Sequence, residues 1–184
     1  GLFCAECLER ARAEEQSTDH LRRVQWTVRR CNFASCRVNA LRQHFEAARA
    51  GRESGLAEVE AIGRAYLAFE RETPHYFDAC ARYQSHACDE VCNDKAVPPN
   101  EAACMGAGHR VHATLVESLN RGVADASIRG NLGDSYVTAL SLWAFAHGVI
   151  QIASSKGGQI EHEGVPVQQF IDHAFSLVNG SLRP

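Results

Sequence analysis

Proline is scarce, with five in 184 residues. Most glycines sit between stretches of helical period rather than inside them. The alternation of apolar and polar residues that marks a half-buried strand is nearly absent. These shortages exclude a sheet-based fold and leave an all-α one, several helices joined by short turns. There is no internal repeat and no low-complexity run. Catalytic signatures are missing too: there is no phosphate-binding glycine loop, no Gly-x-Ser-x-Gly and no His-Glu-x-x-His. The chain therefore does not read as an enzyme, and no cofactor is implied. Charges break GLFCAECLERARAEE before a secretory apolar core can form. Eight cysteines without such a signal read as reduced thiols in a cytoplasmic protein, so the core must hold the fold.

The length allows one domain with a sizeable core. Net charge is −3, which does not by itself advertise nucleic acid. The distribution is uneven, however. Residues 1–50 carry nine Arg against six acids, so any polyanion contact is expected from the N-terminal part, where Arg22, Arg23, Arg29, Arg30 and Arg37 surround Trp26. A solvated helix face accounts for the same charges equally well.

Periodicity places the helices. Val59, Ile62, Tyr66 and Phe69 share one face of a helix over 56–71. Thr73-Pro74 ends it and opens the next, with Thr73 as N-cap, Pro74 at the first helical position, and Tyr76, Phe77, Cys80 and Tyr83 beyond. A polar stretch over 86–99 reads as loop. Asn100 caps a long helix bearing Cys104, Ala107, Val111, Leu115 and Leu119, with Gly122 near its end. Asp134 is the expected N-cap of the next helix and Gly157-Gly158 its expected stop. The last helix starts at Pro166, carries Val167, Phe170, Ile171, Ala174, Leu177 and Val178, and stops at Asn179-Gly180.

One segment stands out. From Ser135 to Ser155 no residue is charged, long enough to raise the question of a membrane span. Ser135, Tyr136, Thr138, Ser141, His147, Gln151, Ser154 and Ser155 make it too polar for one. Within it, SLWAFAHGVIQIAS is apolar on every helix face. Trp143 and His147 share a face, and the small Ala144 and Gly148 share its neighbour. A chain this size cannot comfortably bury such a helix on all sides, so a second copy is expected against it. A central helix of a monomeric bundle is the alternative.

These residues carry a resemblance. Trp143, His147 and Gly148 in LWAFAHGVIQI resemble the Trp-x-x-x-His-Gly pattern in the regulatory domain of many tetracycline-repressor (TetR/AcrR) family transcription factors. AYLAFERETPHYF (65–77), GVADASIRGNLGDSYVTALSLWAFAHG (122–148) and GVPVQQFIDHAFSLVNGSL (164–182) are similar, in order and spacing, to that family's pocket and dimer helices. The resemblance covers residues 41–184. It implies a TetR-like helical bundle that forms a homodimer through its last two long helices. It also implies a pocket for a small apolar or amphipathic effector, and effector-controlled binding to double-stranded DNA through N-terminal helix-turn-helix units. The chain accordingly divides into 1–40, at the position of the DNA-binding unit, and 41–184, the effector-binding and dimerisation domain. Residues 1–40 lack the family's Gly-Val-Ser turn and closing Tyr-x-x-Phe-x-x-Lys segment. LRQHF (41–45) reads as part of the connecting helix.

The resemblance nominates Tyr66, Phe69, Phe77, Tyr83, Met105, Trp143 and His147 to line the effector pocket. It nominates Ala144, Gly148, Ile152, Phe170, Ala174 and Leu177 for the dimer interface. The apolar residues among the first set are equally what a plain core uses. Trp143 and His147 could also be a packed helix contact, with a carbonyl satisfying the imidazole. Two further readings stand beside the regulator: a helical small-molecule-binding dimer that has lost DNA binding, and a thiol- or metal-responsive sensor. The last would draw on Cys88, Cys92 and Cys104 with His86, His109 or His112, whose spacings miss the usual Cys-x-x-Cys zinc pairs. Cys4-x-x-Cys7 has redox spacing but lacks a βαβ context. Glu161, His162 and Glu163 read as a solvated loop.

Overall fold

The computed structural model describes residues 38–74, 77 and 99–184. Among them are α1 (38–49), α2 (Gly55–Glu72), α3 (Pro99–Ala124), α4 (Ser135–His162) and α5 (Val167–Leu182), and no strand. The all-α expectation holds. The Arg-rich segment 1–37, Tyr76, Cys80, Tyr83 and the Cys88/Cys92 pair lie outside the described residues.

The N-terminus of α2 is capped three times over. Ser54, in extended conformation, accepts from Ala57 N. Asp125 Oδ2 accepts from Gly55 N at 2.8 Å and Ser127 Oγ from Leu56 N at 3.0 Å. Thus the loop after α3 satisfies amides that α2 leaves without intrahelical partners. Hydrogen bonds from the Ser127 hydroxyl and from the Gly55 and Ser127 amides hold the Asp125 carboxyl below the usual carboxylate range. Val59, Ile62, Tyr66 and Phe69 are all buried, as their spacing predicts. At the far end the Thr73 hydroxyl donates back to Phe69 O, while the Thr73 carbonyl accepts from Phe77 N. Thr73 thus joins two helices, but its side chain closes the first rather than capping the second.

α3 begins at Pro99, so Asn100 lies inside its first turn instead of capping it. Proline suits that position because its missing N–H would have no partner there. Ala107, Val111, Leu115 and Leu119 form its buried face. Asp134 caps α4 as expected, accepting from Val137 N at 2.9 Å. Gly157-Gly158 does not stop α4. The helix continues to His162 because the beginning of α5 packs on it: a Cβ on Gly157 would lie 3.2 Å from Val167 Cγ2. The actual stop is Gly164, whose φ of +82° is the left-handed conformation that closes helices. Glu161 and His162 are therefore helical, and with Glu163 they are exposed. Likewise α5 runs past Asn179-Gly180 to Leu182, which is buried and whose carbonyl accepts from Arg129 N.

α2 packs against α3, α4 and α5, and α4 bridges α3 and α5. The main core joins Phe45 of α1, Leu56, Val59, Ile62 and Tyr66 of α2, Val111, Leu115 and Leu119 of α3, Ile128, and Ala146 and Ile150 of α4. Fully buried side chains such as Leu119 and Ile150 contribute about 1.5–3 kcal/mol each. A smaller cluster of Val149, Ile171 and Ala174 fixes α5 on α4. α1 is tied to α3 by Arg49–Glu117 at 2.8 Å and by the Thr114 hydroxyl donating to Glu46.

α4 is half in and half out. Ala139, Ala146, Val149 and Ile150 are buried, while Tyr136, Val137, Trp143, Phe145 and Ile152 are exposed. Among the described helices it is the one long and apolar enough, by length and composition, to cross a membrane. Its packing on three neighbours makes it a bundle helix.

Candidate functional site

A cavity of about 50 Å³ lies where all five helices meet. α1 gives Phe45, α2 gives Val59, Ile62, Gly63 and Tyr66, and α3 gives Val111, His112 and Leu115. α4 gives Leu142, Trp143, Phe145 and Ala146, and α5 gives Phe175, Val178 and Asn179. Gly63 lets Phe175 close in, since a Cβ there would lie 2.9 Å from the Phe175 ring and force it to shift. None of these lining residues is charged. Trp143 and Phe145, partly exposed, form the open side.

Tyr66 organises the wall between α2 and α4. The Trp143 indole N–H donates to the Tyr66 hydroxyl at 3.2 Å, and that hydroxyl shares a 2.9 Å hydrogen bond with His147 Nδ1. Indole can only donate, so the tyrosine oxygen accepts from Trp143, and its own proton goes to Nδ1 when the neutral imidazole carries its proton on Nε2. Phe77 covers the other face of the imidazole, its ring centroid 4.5 Å away and nearly parallel. Burial pushes the His147 pKa down, favouring the neutral ring that accepts from tyrosine.

Across the cavity stands His112. Its Nδ1 lies 3.0 Å from Gly108 O. A carbonyl only accepts, so Nδ1 donates. Its ring meets Trp143 edge-on at 5.4 Å. The other nitrogen, Nε2, is buried and has no hydrogen-bond partner.

The expected pocket residues are thus only partly assembled. Tyr66 and Trp143 line the cavity. His147 and Phe77 back it as the next layer, and the imidazole is satisfied by tyrosine rather than by a carbonyl. Phe69 is buried elsewhere, edge-on to His44 at 5.4 Å. Met105 is 47% exposed on α3 and is not in the lining. Tyr83 lies outside the described residues. Phe45, Gly63, His112, Leu142 and Phe175 line the cavity without having been singled out for it. Of these, His112 carried a signal, lying beside Val111 and Leu115 on the inner face of α3.

Of the residues nominated for an interface, Ala144, Ile152 and Leu177 are exposed, Leu177 at 62%. Gly148 borders open space, with nothing within 4 Å of where a Cβ would stand. Phe170 is partly buried against the smaller cluster. Ala174 departs from expectation: it is buried inside the chain, between Val149 and Ile171, because α5 packs on α4 through this small residue. Among the described residues no three His, Cys, Asp or Glu side chains converge as metal ligands.

Comparison with known proteins gives this arrangement its class. Residues 59–176 match the family described as tetracyclin repressor-like, C-terminal domain. The chain belongs to that family. A solved structure from Rhodococcus sp. RHA1, titled a protein with unknown function, superposes with a TM-score of 0.62 at 21% identity. The superposition covers 84% of this chain and 71% of that one, and at this identity it is a likeness of fold. The search of curated proteins finds no match.

Proposed function

We propose that the chain is a TetR-like one-component transcriptional regulator, cytoplasmic, in which 41–184 bind a small effector and dimerise. Residues 1–40 occupy the position of the DNA-binding unit. The observation that carries this reading is Phe45. It sits on α1, which leads back to the N-terminal segment, and it forms part of the cavity wall. An occupant of the cavity therefore touches the element that joins the two parts of the chain, and can bias its position if its affinity differs between two arrangements. Family membership and the exposed apolar faces of α4 and α5 support the homodimer.

The test is selection from a randomised pool of double-stranded DNA at low and moderate salt, with oligomeric state read by sedimentation in the same samples. A dimer that enriches a palindromic site, with affinity falling steeply in salt, is the expected result. A monomer overturns the dimer reading. A dimer that enriches nothing favours the second reading, an effector-binding dimer without DNA binding. That reading rests on the missing Gly-Val-Ser turn and Tyr-x-x-Phe-x-x-Lys segment in residues 1–40.

A further inference from the structure

The effector of an apolar cavity is usually described by shape alone, yet His112 adds a chemical demand. Its Nδ1 proton is committed to Gly108 O at 3.0 Å. In the neutral ring Nε2 is then a lone-pair acceptor, and it is buried with no partner. Such an atom is destabilising unless something donates to it. The ring neighbours of His112 do not serve: the Trp143 N–H is given to Tyr66, and Tyr136, its ring 6.3 Å away, makes no hydrogen bond to Nε2; the Tyr66 hydroxyl is bonded to His147. The indole and phenol donors of Trp143 and Tyr66 are thus engaged in the Tyr66–Trp143–His147 network, while one acceptor is left over at His112.

We infer that the cavity takes a neutral, mainly apolar ligand carrying one hydrogen-bond donor, a hydroxyl or N–H, which donates to His112 Nε2. The inference rests on the reading of the cavity as the effector site. An anionic ligand does not fit the same features. The lining residues named above include no Arg or Lys to meet a carboxylate, and a carboxylate brings a second acceptor to an acceptor. A purely apolar ligand fills the space but leaves Nε2 unsatisfied. The remaining polar lining residue, Asn179, sits on α5 and offers both a donor and an acceptor, so it does not select between donors and acceptors as the imidazole does.

The experiment uses the full chain with Trp26→Phe, so that the Trp143 indole N–H gives a single nuclear magnetic resonance signal. It is titrated with phenol, anisole, toluene and benzoate, one ring with four head groups. Phenol is expected to bind about three- to tenfold tighter than anisole or toluene, although toluene is the more apolar. In His112→Phe, which keeps a ring of similar shape, that preference is expected to vanish while toluene binding persists. Equal binding of phenol, anisole and toluene overturns the donor requirement and leaves the effector cavity standing. Tighter binding of benzoate overturns it as well, in favour of a cationic imidazole. Failure of all four to move the Trp143 signal overturns the cavity reading itself. The comparison of phenol with anisole needs no His112 variant, so it decides the matter even if His112→Phe does not fold.

Discussion

Gly55 and Gly122 meet backbone to backbone. A Cβ on Gly55 would stand 2.0 Å from Gly122 N and 2.6 Å from Ser118 O. Neither atom belongs to a side chain that can swing away, so the crossing of α2 over α3 depends on the bare glycine. Gly55→Ala is expected to destabilise the protein by about 1–3 kcal/mol through forced separation of the helices. Gly158→Ala, on an open and exposed part of α4 with nothing within 4 Å, should stabilise by about 0.5–1 kcal/mol. Urea unfolding of the two variants should move in opposite directions.

Tyr66→Phe keeps the ring that packs on Phe45 and Phe77 but deletes the oxygen between Trp143 and His147. Two polar atoms lose their partner at once. The expected loss is about 1–2 kcal/mol, read by thermal unfolding. The Trp143 emission should shift in the folded state, since its indole N–H changes environment.

The buried imidazole sets a pH dependence. Its pKa is lower in the folded chain than the ordinary 6.5, so between the two values the unfolded chain binds more protons. Stability therefore rises with pH there. The His147 contribution is complete above about pH 6.5 and is lost as pH falls through the lower, folded value. Denaturant titrations from pH 7.5 down to 5 should show this decline, and His147→Gln should flatten part of it.

Leu177 is 62% exposed on α5, so a charge there costs a lone subunit little, within about 0.5 kcal/mol. Buried against a second copy, the same charge would be severe. Leu177→Glu is therefore expected to convert a dimer to a folded monomer in sedimentation velocity. An unaltered dimer would place the interface elsewhere.

Helix faces were readable wherever burial follows local spacing. Val59, Ile62, Tyr66 and Phe69 declared α2 because all four are buried along one helix face. Asp134 declared the start of α4 because a cap acts three residues away. Signals that depend on distant chain misled. Gly157-Gly158 looks like a stop until Val167 is seen against it, and Asn179-Gly180 until Leu182 is seen buried. The site suffered more. Tyr66 reaches Trp143 and His147 across 77 and 81 residues, and periodicity carries no information at that range. His112 was weighed as a metal ligand because its sequence neighbours include Cys and His. Its place in the cavity wall is set instead by a carbonyl one turn back.

The capping of α2 by Asp125 and Ser127 also orders events in time. The amides of Gly55 and Leu56 leave the ribosome 70 and 71 residues ahead of the side chains that satisfy them. At about 5–20 residues per second that interval is roughly 4–14 s. Through it the nascent α2 begins with two amides in water and with Gly122, the surface it must cross, not yet made for nearly all of the wait. Until Asp125 and Ser127 are made, α2 lacks its two outer caps, so the joint between α2 and α3 is completed only after α3 has been translated.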